Sequence, residues 1–299
     1  MFNKSWALLA LAAMLLLGCG GARDPYGQQV QKVTKYTDRG DEWFSKGDLK
    51  RASKEFQRGL ELSRSVDYQT GEAVQINNLG AVALEQGDLP RARKLFSRAW
   101  QINQNQENWT AASTNQANLA TVAAKAGDKA GVTQHLTLAE KAARRSGSKA
   151  ALGRIFIRWA AVSLDQLDFG GAEAYLNLAK PLAKTTALKA SVAHQRGRLA
   201  LARGDTWAAL NYFTLALERD REVLDRAAIA ADLFALGNTS RLRRDWSKAF
   251  DYYARAFYVY ASLGRKARLQ DCLTRLREAN QEGALNQSLE RFEKHPQLS

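Results

Sequence analysis

Apolar and polar residues follow two regimes along this chain. From Trp6 to Leu17 every position is uncharged, and only Lys4 precedes the run. That is shorter than the roughly 20 residues a helix needs to cross the hydrocarbon core. One basic residue, an apolar stretch and then Gly18-Cys19 give the layout of an export leader. No later segment of about 20 residues lacks charges, so the body is expected to be water-soluble. Beyond Val33 the apolar positions recur with helical period, as in Ala73 to Gln86, where Ile76, Leu79, Gly80, Val82, Ala83 and Leu84 share one broad face. Gly47-Asp48, Gly87-Asp88, Gly127-Asp128 and Gly204-Asp205 punctuate these stretches, with Leu167-Asp168 and Arg244-Asp245 as degenerate copies. The aspartates at 48, 88, 128, 168, 205 and 245 are spaced by 40 residues, except for one step of 37. Glycine accepts the left-handed turn that ends one helix, and aspartate caps the next. Pro90 falls in a first turn, where its missing N–H costs nothing. Pro181, at the end of the irregular repeat, is predicted to kink that repeat's second helix.

Other columns share the register. Seven residues before each turn glycine stand Gly40, Gly80, Ala120, Ala160, Gly197 and Gly237. After each aspartate come Ala52, Ala92, Val132, Ala172, Ala209 and Ala249, then Phe56, Phe96, Leu136, Leu176, Phe213 and Tyr253. Three residues further on stand Gly59, Ala99, Ala139, Ala179, Ala216 and Ala256. Small residues let paired helices approach, and one large residue per repeat fills the space between them. The order of these columns resembles the tetratricopeptide repeat over Val33 to Leu263. The resemblance implies an all-α, right-handed superhelical α-solenoid of about six helix pairs, closed by a C-terminal capping helix. The chain divides into a leader (1–18), a lipidated N-terminus and tether (19–32), the solenoid (33–263) and capping helices with a tail (264–299). Two features depart from the family. The period is 40 rather than 34, so longer helices or longer inter-repeat loops absorb the excess, and the proline that usually closes the second helix is absent. The 37-residue step is expected to change the curvature locally.

Leu16-Leu17-Gly18-Cys19 resembles the bacterial lipobox. This implies cleavage before Cys19, acylation of Cys19, and anchoring by more than one acyl chain, since one chain binds only marginally. Gly20 follows, where an aspartate would favour inner-membrane retention, so the expected location is the outer membrane facing the periplasm. An ordinary leader with an incidental cysteine is the alternative. Cys272 is the only other cysteine. It lies in the stripe Leu269, Cys272, Leu273, Leu276, is read as a core residue, and leaves no internal disulfide.

Forty-four basic residues against 30 acidic ones give a net charge of +14, of which Lys4 belongs to the leader. Such a charge ordinarily suggests nucleic acid, but an exported chain meets little of it, so no nucleic-acid partner is expected. Anionic lipid, envelope polymer and acidic protein are the remaining counter-surfaces, beside a plain solvated surface. The three histidines, His135, His194 and His295, stand in no ligand spacing. No catalytic constellation, metal site or cofactor is expected, and the chain is read as a non-enzyme. His135 is read as packed and His295 as solvated.

The resemblance places a binding site on the concave groove formed by the first helices of the repeats. The transferred groove residues are Asn77, Thr121, Lys125, Arg154, His194, Arg198, Asn238 and Arg241, with Thr37, Asp41, Glu85 and Asp165 in the same series. Arg196, Arg198, Arg203, Arg241, Arg243 and Arg244 crowd the C-terminal half. They form either a receptor for an acidic peptide segment or a solvated helix face. Of Phe250, Tyr252, Tyr253, Phe257, Tyr258 and Tyr260, some must be core and one or two exposed. The expected function is a membrane-anchored scaffold or assembly factor that grips a partner peptide or helix. Direct binding of anionic envelope polymer or lipid is the alternative.

Overall fold

The computed structural model describes residues 24–298, so the leader, the lipobox and Cys19 lie outside the described residues. Among the described residues the regular structure is entirely helical, in consecutive hairpins. The pairs are α1 (Pro25–Ser45) with α2 (Leu49–Ser65), α3 (Gln69–Glu85) with α4 (Leu89–Asn105), and α5 (Trp109–Lys125) with α6 (Lys129–Arg145). They continue as α7 (Lys149–Asp165) with α8 (Phe169–Ala179), α9 (Thr186–Ala202) with α10 (Thr206–Glu222), and α11 (Arg226–Leu242) with α12 (Trp246–Ser262). The unpaired α13 (Lys266–Glu282) and the short α14 (Glu290–Glu293) close the array. Helices α2 to α7 and α9 to α13 are each 17 residues long and are joined, with one exception, by three-residue turns. The six residues beyond the 34-residue repeat therefore went into longer helices and not into loops.

The underlying period is 20 residues. Besides the glycines at 47, 87, 127 and 204, the middle residues of the turns between repeats also take positive φ: Asp67, Glu107, Gly147, Leu224 and Gly264. These turns were invisible to a search for Gly-Asp because Asp67, Glu107 and Leu224 take the left-handed conformation in place of glycine, and Gly147 and Gly264 are followed by Ser148 and Arg265 in place of aspartate. Each aspartate of the 40-residue series caps its helix, as Asp48 Oδ1 accepts from Arg51 N at 2.9 Å and Asp205 Oδ1 from Ala208 N at 2.9 Å. Asn108, Ser148, Thr185 and Asp225 do the same for first helices.

The small and large columns meet in the cores of the hairpins. A Cβ at Gly80 would stand 2.8 Å from the Phe96 ring, and one at Gly237 would stand 2.6 Å from Tyr253. Phe96 and Tyr253 have no solvent exposure. Where the ring is replaced by Leu136 or Leu176, the partner position carries Ala120 or Ala160, so volume is conserved repeat by repeat.

The 37-residue step is absorbed at α8, which stops after 11 residues and passes through a 3₁₀ turn, Lys180–Leu182, containing Pro181. The proline ends this helix early and does not kink it. At the C-terminus Leu269, Cys272, Leu273 and Leu276 are buried as expected. Phe292 is fully buried against Phe250 and Phe257, and the half-buried His295 ring lies edge-on 5.3 Å from Phe257, so His295 is packed where a solvated tail residue was expected. The superhelix also brings its two ends together. The turn at Gly47 abuts the Leu263 backbone so closely that no side chain fits there, and Arg265 pairs with Glu85.

Candidate functional site

The first helices line the concave face, and their contacts repeat with the fold. In three interfaces a buried polar residue reaches a residue 38 positions earlier on the preceding first helix. Gln75 Nε2 donates to Thr37 Oγ1 at 2.6 Å, Asn115 Nδ2 to Asn77 Oδ1 at 3.0 Å, and His194 Nδ1 lies 2.6 Å from Asp232 Oδ1. Asn103 extends the second rung by donating to Asn115 at 2.8 Å, and Asn118 adds a bond to Asn77 at 3.0 Å. The matching places in the middle of the array are apolar: Ala117 with Ile155, and Ile157 with Val192. These rungs were missed in the sequence, although Gln75, Asn115 and Asp232 occupy one column of an otherwise apolar face.

Asn77 and His194 therefore help hold the repeats together at the edge of the groove. Behind His194, the buried Asp220 has its carboxyl pushed up to about 7, first by burial and then by the charge of Asp232, to which it is hydrogen-bonded. Thr121 accepts from Arg158 Nη1 at 2.8 Å. Arg158 keeps solvent contact yet sits inside the concavity, and its enclosure and neighbouring Arg154 lower its pKa. Lys125 and Arg154 are exposed. Arg198 is engaged by Asp165 at 2.7 Å and by Gln195 at 3.0 Å, and Asn238 accepts from Tyr253 Oη at 2.9 Å. Burial, opposed in part by Arg241 and Arg275, pushes the Tyr253 phenol up to about 12.

The six C-terminal arginines do not pool. Arg196 donates to Asn177 and Arg203 to Glu173, while Arg243 stacks over Trp207 at 3.5 Å and donates to Thr206. Arg241 and Arg244 do converge, with Arg275, on a cavity of about 630 Å³ at the C-terminal end of the groove. Glu278 and Glu282 of α13 line it too, falling in the columns of Arg198 and Lys125, and Glu278 pairs with Arg275 at 2.7 Å. Arg241 Nε is buried there without a hydrogen-bond partner. The aromatic cluster divides as its columns require: Phe250, Tyr253, Phe257 and Tyr260 are core, Tyr252 is half-buried under Arg255, and Tyr258 is 45% exposed. Among the described residues no group of three or more His, Cys, Asp or Glu could hold a metal ion, and no helix is long and apolar enough to cross a membrane.

No protein-family model matches the chain, and no curated protein matches it significantly. Solved structures do. The apo form of RapI aligns over 88% of this chain and 94% of its own, with TM-score 0.62 and 13% identity. BtubC (BKLC) from P. vanneervenii aligns over 72% and 92%, with TM-score 0.54 and 21% identity. A STAND protein with a tetratricopeptide repeat sensor from Pyrococcus horikoshii aligns over 82% of this chain and 37% of its own, with TM-score 0.55 and 13% identity. A Rap protein complexed with competence and sporulation factor aligns over 84% and 76%, with TM-score 0.56 and 14% identity. At these identities the likeness concerns architecture: the chain is a helical solenoid of the tetratricopeptide-repeat type.

Proposed function

We propose that this chain is a membrane-anchored scaffold of the bacterial cell envelope that holds a segment of a partner protein in its concave groove and catalyses nothing. The observation that carries the binding reading is Arg241. Its Nε–H is buried without a partner beside a cavity of about 630 Å³ at the end of a groove lined by Lys125, Arg154 and Arg198. A buried donor left unpaired costs about 1–3 kcal/mol, and a turn of the Arg241 guanidinium toward a carboxylate arriving in the groove would remove that cost through a charge-assisted bond. Glu278 and Glu282 on the facing wall favour a partner segment of mixed charge over a uniformly acidic one. The solved Rap complex with competence and sporulation factor supports partner binding by this architecture. The anchor rests on Leu16-Leu17-Gly18-Cys19 and the leader before it.

Two experiments test the parts separately. Photo-crosslinking amino acids at Lys125 and Arg154 should capture a defined envelope protein that one at the exposed Lys50 on α2 does not. Equal capture from all three positions, or capture of polysaccharide or lipid alone, would refute the groove reading. For the anchor, palmitate labelling should be lost on Cys19→Ala. Persistent labelling of that variant would overturn the lipobox assignment.

A further inference from the structure

A second concavity lies on the opposite side of α9 from the groove. With about 100° between successive residues on a helix, Lys189, Val192, Ala193 and Arg196 share one side, and His194 and Arg198 point the other way. The first set opens on a cavity of about 390 Å³ between α9, α10 and the end of α8, within the range of about 300–1,000 Å³ typical of small-molecule sites.

The cavity arises from three departures of this repeat from its neighbours. First, α8 is 11 residues long where the other second helices have 17, and Pro181 turns the chain aside. Second, Ala193 is the smallest residue of a column that otherwise holds Tyr36, Ile76, Gln116, Phe156 and Leu233, and Arg196 takes the column of Leu79, Leu119, Trp159 and Leu236, which is charged elsewhere only at Arg39 of the first repeat. Third, Arg219 takes the column of Leu62, Ile102, Ala142 and Val259. The space that larger, mostly apolar side chains fill in the other repeats is thus empty, and two guanidinium groups stand at its edge.

The chemistry of the walls is divided. Val192, Ala193, Tyr212 and Leu215 give an apolar floor, and Lys180, Lys189, Arg196 and Arg219 give a rim with no carboxylate in the lining. The guanidinium groups are braced, Arg196 by Asn177 at 2.9 Å and Arg219 by the Lys189 carbonyl at 3.2 Å. Glu173, whose charge Arg196 also feels, is taken by Arg203 at 2.7 Å. An apolar floor under four cations selects an anion with an apolar body.

We propose that this cavity is a binding site for a monomeric amphiphilic anion, a carboxylate or phosphate head on an aliphatic chain, with the chain on Ala193, Tyr212 and Leu215 and the head between Lys189 and Arg219. The site is independent of the groove and of the partner it holds.

The test is calorimetric titration of the full chain with dodecanoate and dodecyl phosphate below micelle formation. Inorganic phosphate, dodecyltrimethylammonium and anionic phospholipid vesicles serve as comparison probes. One amphiphilic anion per chain should bind, and inorganic phosphate and the cationic amphiphile should each bind at least about tenfold more weakly, a factor of ten being about 1.4 kcal/mol. Lys180→Glu with Lys189→Glu, both exposed, should weaken binding at least about tenfold while leaving the melting temperature unchanged. Ala193→Leu with Arg196→Leu, which restores the residue type of the other repeats, should abolish binding and raise the melting temperature. Binding unchanged in either double variant would overturn the proposal, as would binding of vesicles alone or tighter binding of an acidic peptide without an acyl chain. Crosslinking from the groove is unaffected by these variants, so failure here leaves the scaffold reading standing.

Discussion

The pairing of glycine with an aromatic ring predicts a measurable size coupling inside single repeats. In the second repeat a Cβ added at Gly80 would lie 2.8 Å from Cε1, 2.9 Å from Cδ1 and 3.2 Å from Cζ of Phe96, a ring with no solvent exposure. Carbon contacts relax at about 3.5–4.0 Å, so the ring would have to move by nearly 1 Å in a site that has no room. Overpacking of this kind costs about 1–3 kcal/mol, while alanine regains about 1 kcal/mol of helix propensity over glycine. Gly80→Ala is therefore expected to destabilise by up to about 2 kcal/mol. Phe96→Leu alone leaves a cavity and is expected to cost on the order of 1–2 kcal/mol. Combined, the two reproduce the Ala120 and Leu136 pairing of the third repeat, and the double variant should be more stable than the sum by about 1 kcal/mol or more. Urea unfolding followed by helical circular dichroism would measure the cycle, with unfolding midpoints compared because repeat arrays depart from two-state behaviour. Additivity within about 0.3 kcal/mol would show that the columns vary independently and that the size-matching argument is wrong.

Three further outcomes follow from individual side chains. Asp220 has its carboxyl raised to about 7 in the fold, so below about pH 4 its contribution is fully present, and between about pH 4 and pH 7 the folded chain holds a proton that the unfolded chain releases. Stability should therefore fall as pH rises through that window. Asp220→Asn should flatten the fall in a pH series of urea midpoints, and an unchanged slope would show that Asp220 is not its source. The Cys272 thiol, pushed up to about 12 by burial, should react with an aromatic disulfide at pH 8 only at the rate of unfolding, and prompt reaction in the native chain would contradict its place in the core. Glu85→Arg should place like charges where the two ends of the superhelix meet and enlarge the radius of gyration by solution scattering. The charge swap with Arg265→Glu should restore it, and equal radii for all three chains would refute the contact.

How far the sequence led depended on whether a feature recurred at a fixed place. The Gly-Asp turns and the Gly80 and Phe96 columns recur every 40 residues with strong residue preferences, so hairpins, caps and core were legible. The turns at Asp67, Glu107 and Leu224 were not, because each uses a different residue for the same positive φ. The groove residues were transferred to first-helix positions without their partners, and the partners decide what those residues do. Arg198 faces Asp165, Asn238 receives the Tyr253 hydroxyl, and His194 is committed to Asp232. The cluster of six arginines was a count along the chain. In space α9, α11 and the turns that follow them carry these side chains to different sides, so Arg196 and Arg198, two residues apart, serve opposite faces.

The distribution of polar rungs bears on why the irregular repeat lies where it does. A buried polar pair tolerates little change in the distance or angle between its helices, because an unsatisfied partner keeps its full desolvation cost. The interfaces that carry Gln75, Asn115 and Asp232 are pinned in this way. The interfaces closed by Ala117 with Ile155 and by Ile157 with Val192 have no buried polar pair at that place; the bonds that cross them, Arg158 to Thr121 and Arg198 to Asp165, come from long, solvent-accessible side chains that can follow a shift, and apolar surfaces repack at lower cost. The three-residue deletion falls at the second of these apolar interfaces. A shorter α8 there shifts helices that need only remain in contact, whereas the same deletion beside Asp232 would separate it from His194. Local irregularity, and the basic cavity that comes with it, is thereby confined to the part of the solenoid that can absorb it while the groove stays in register on either side.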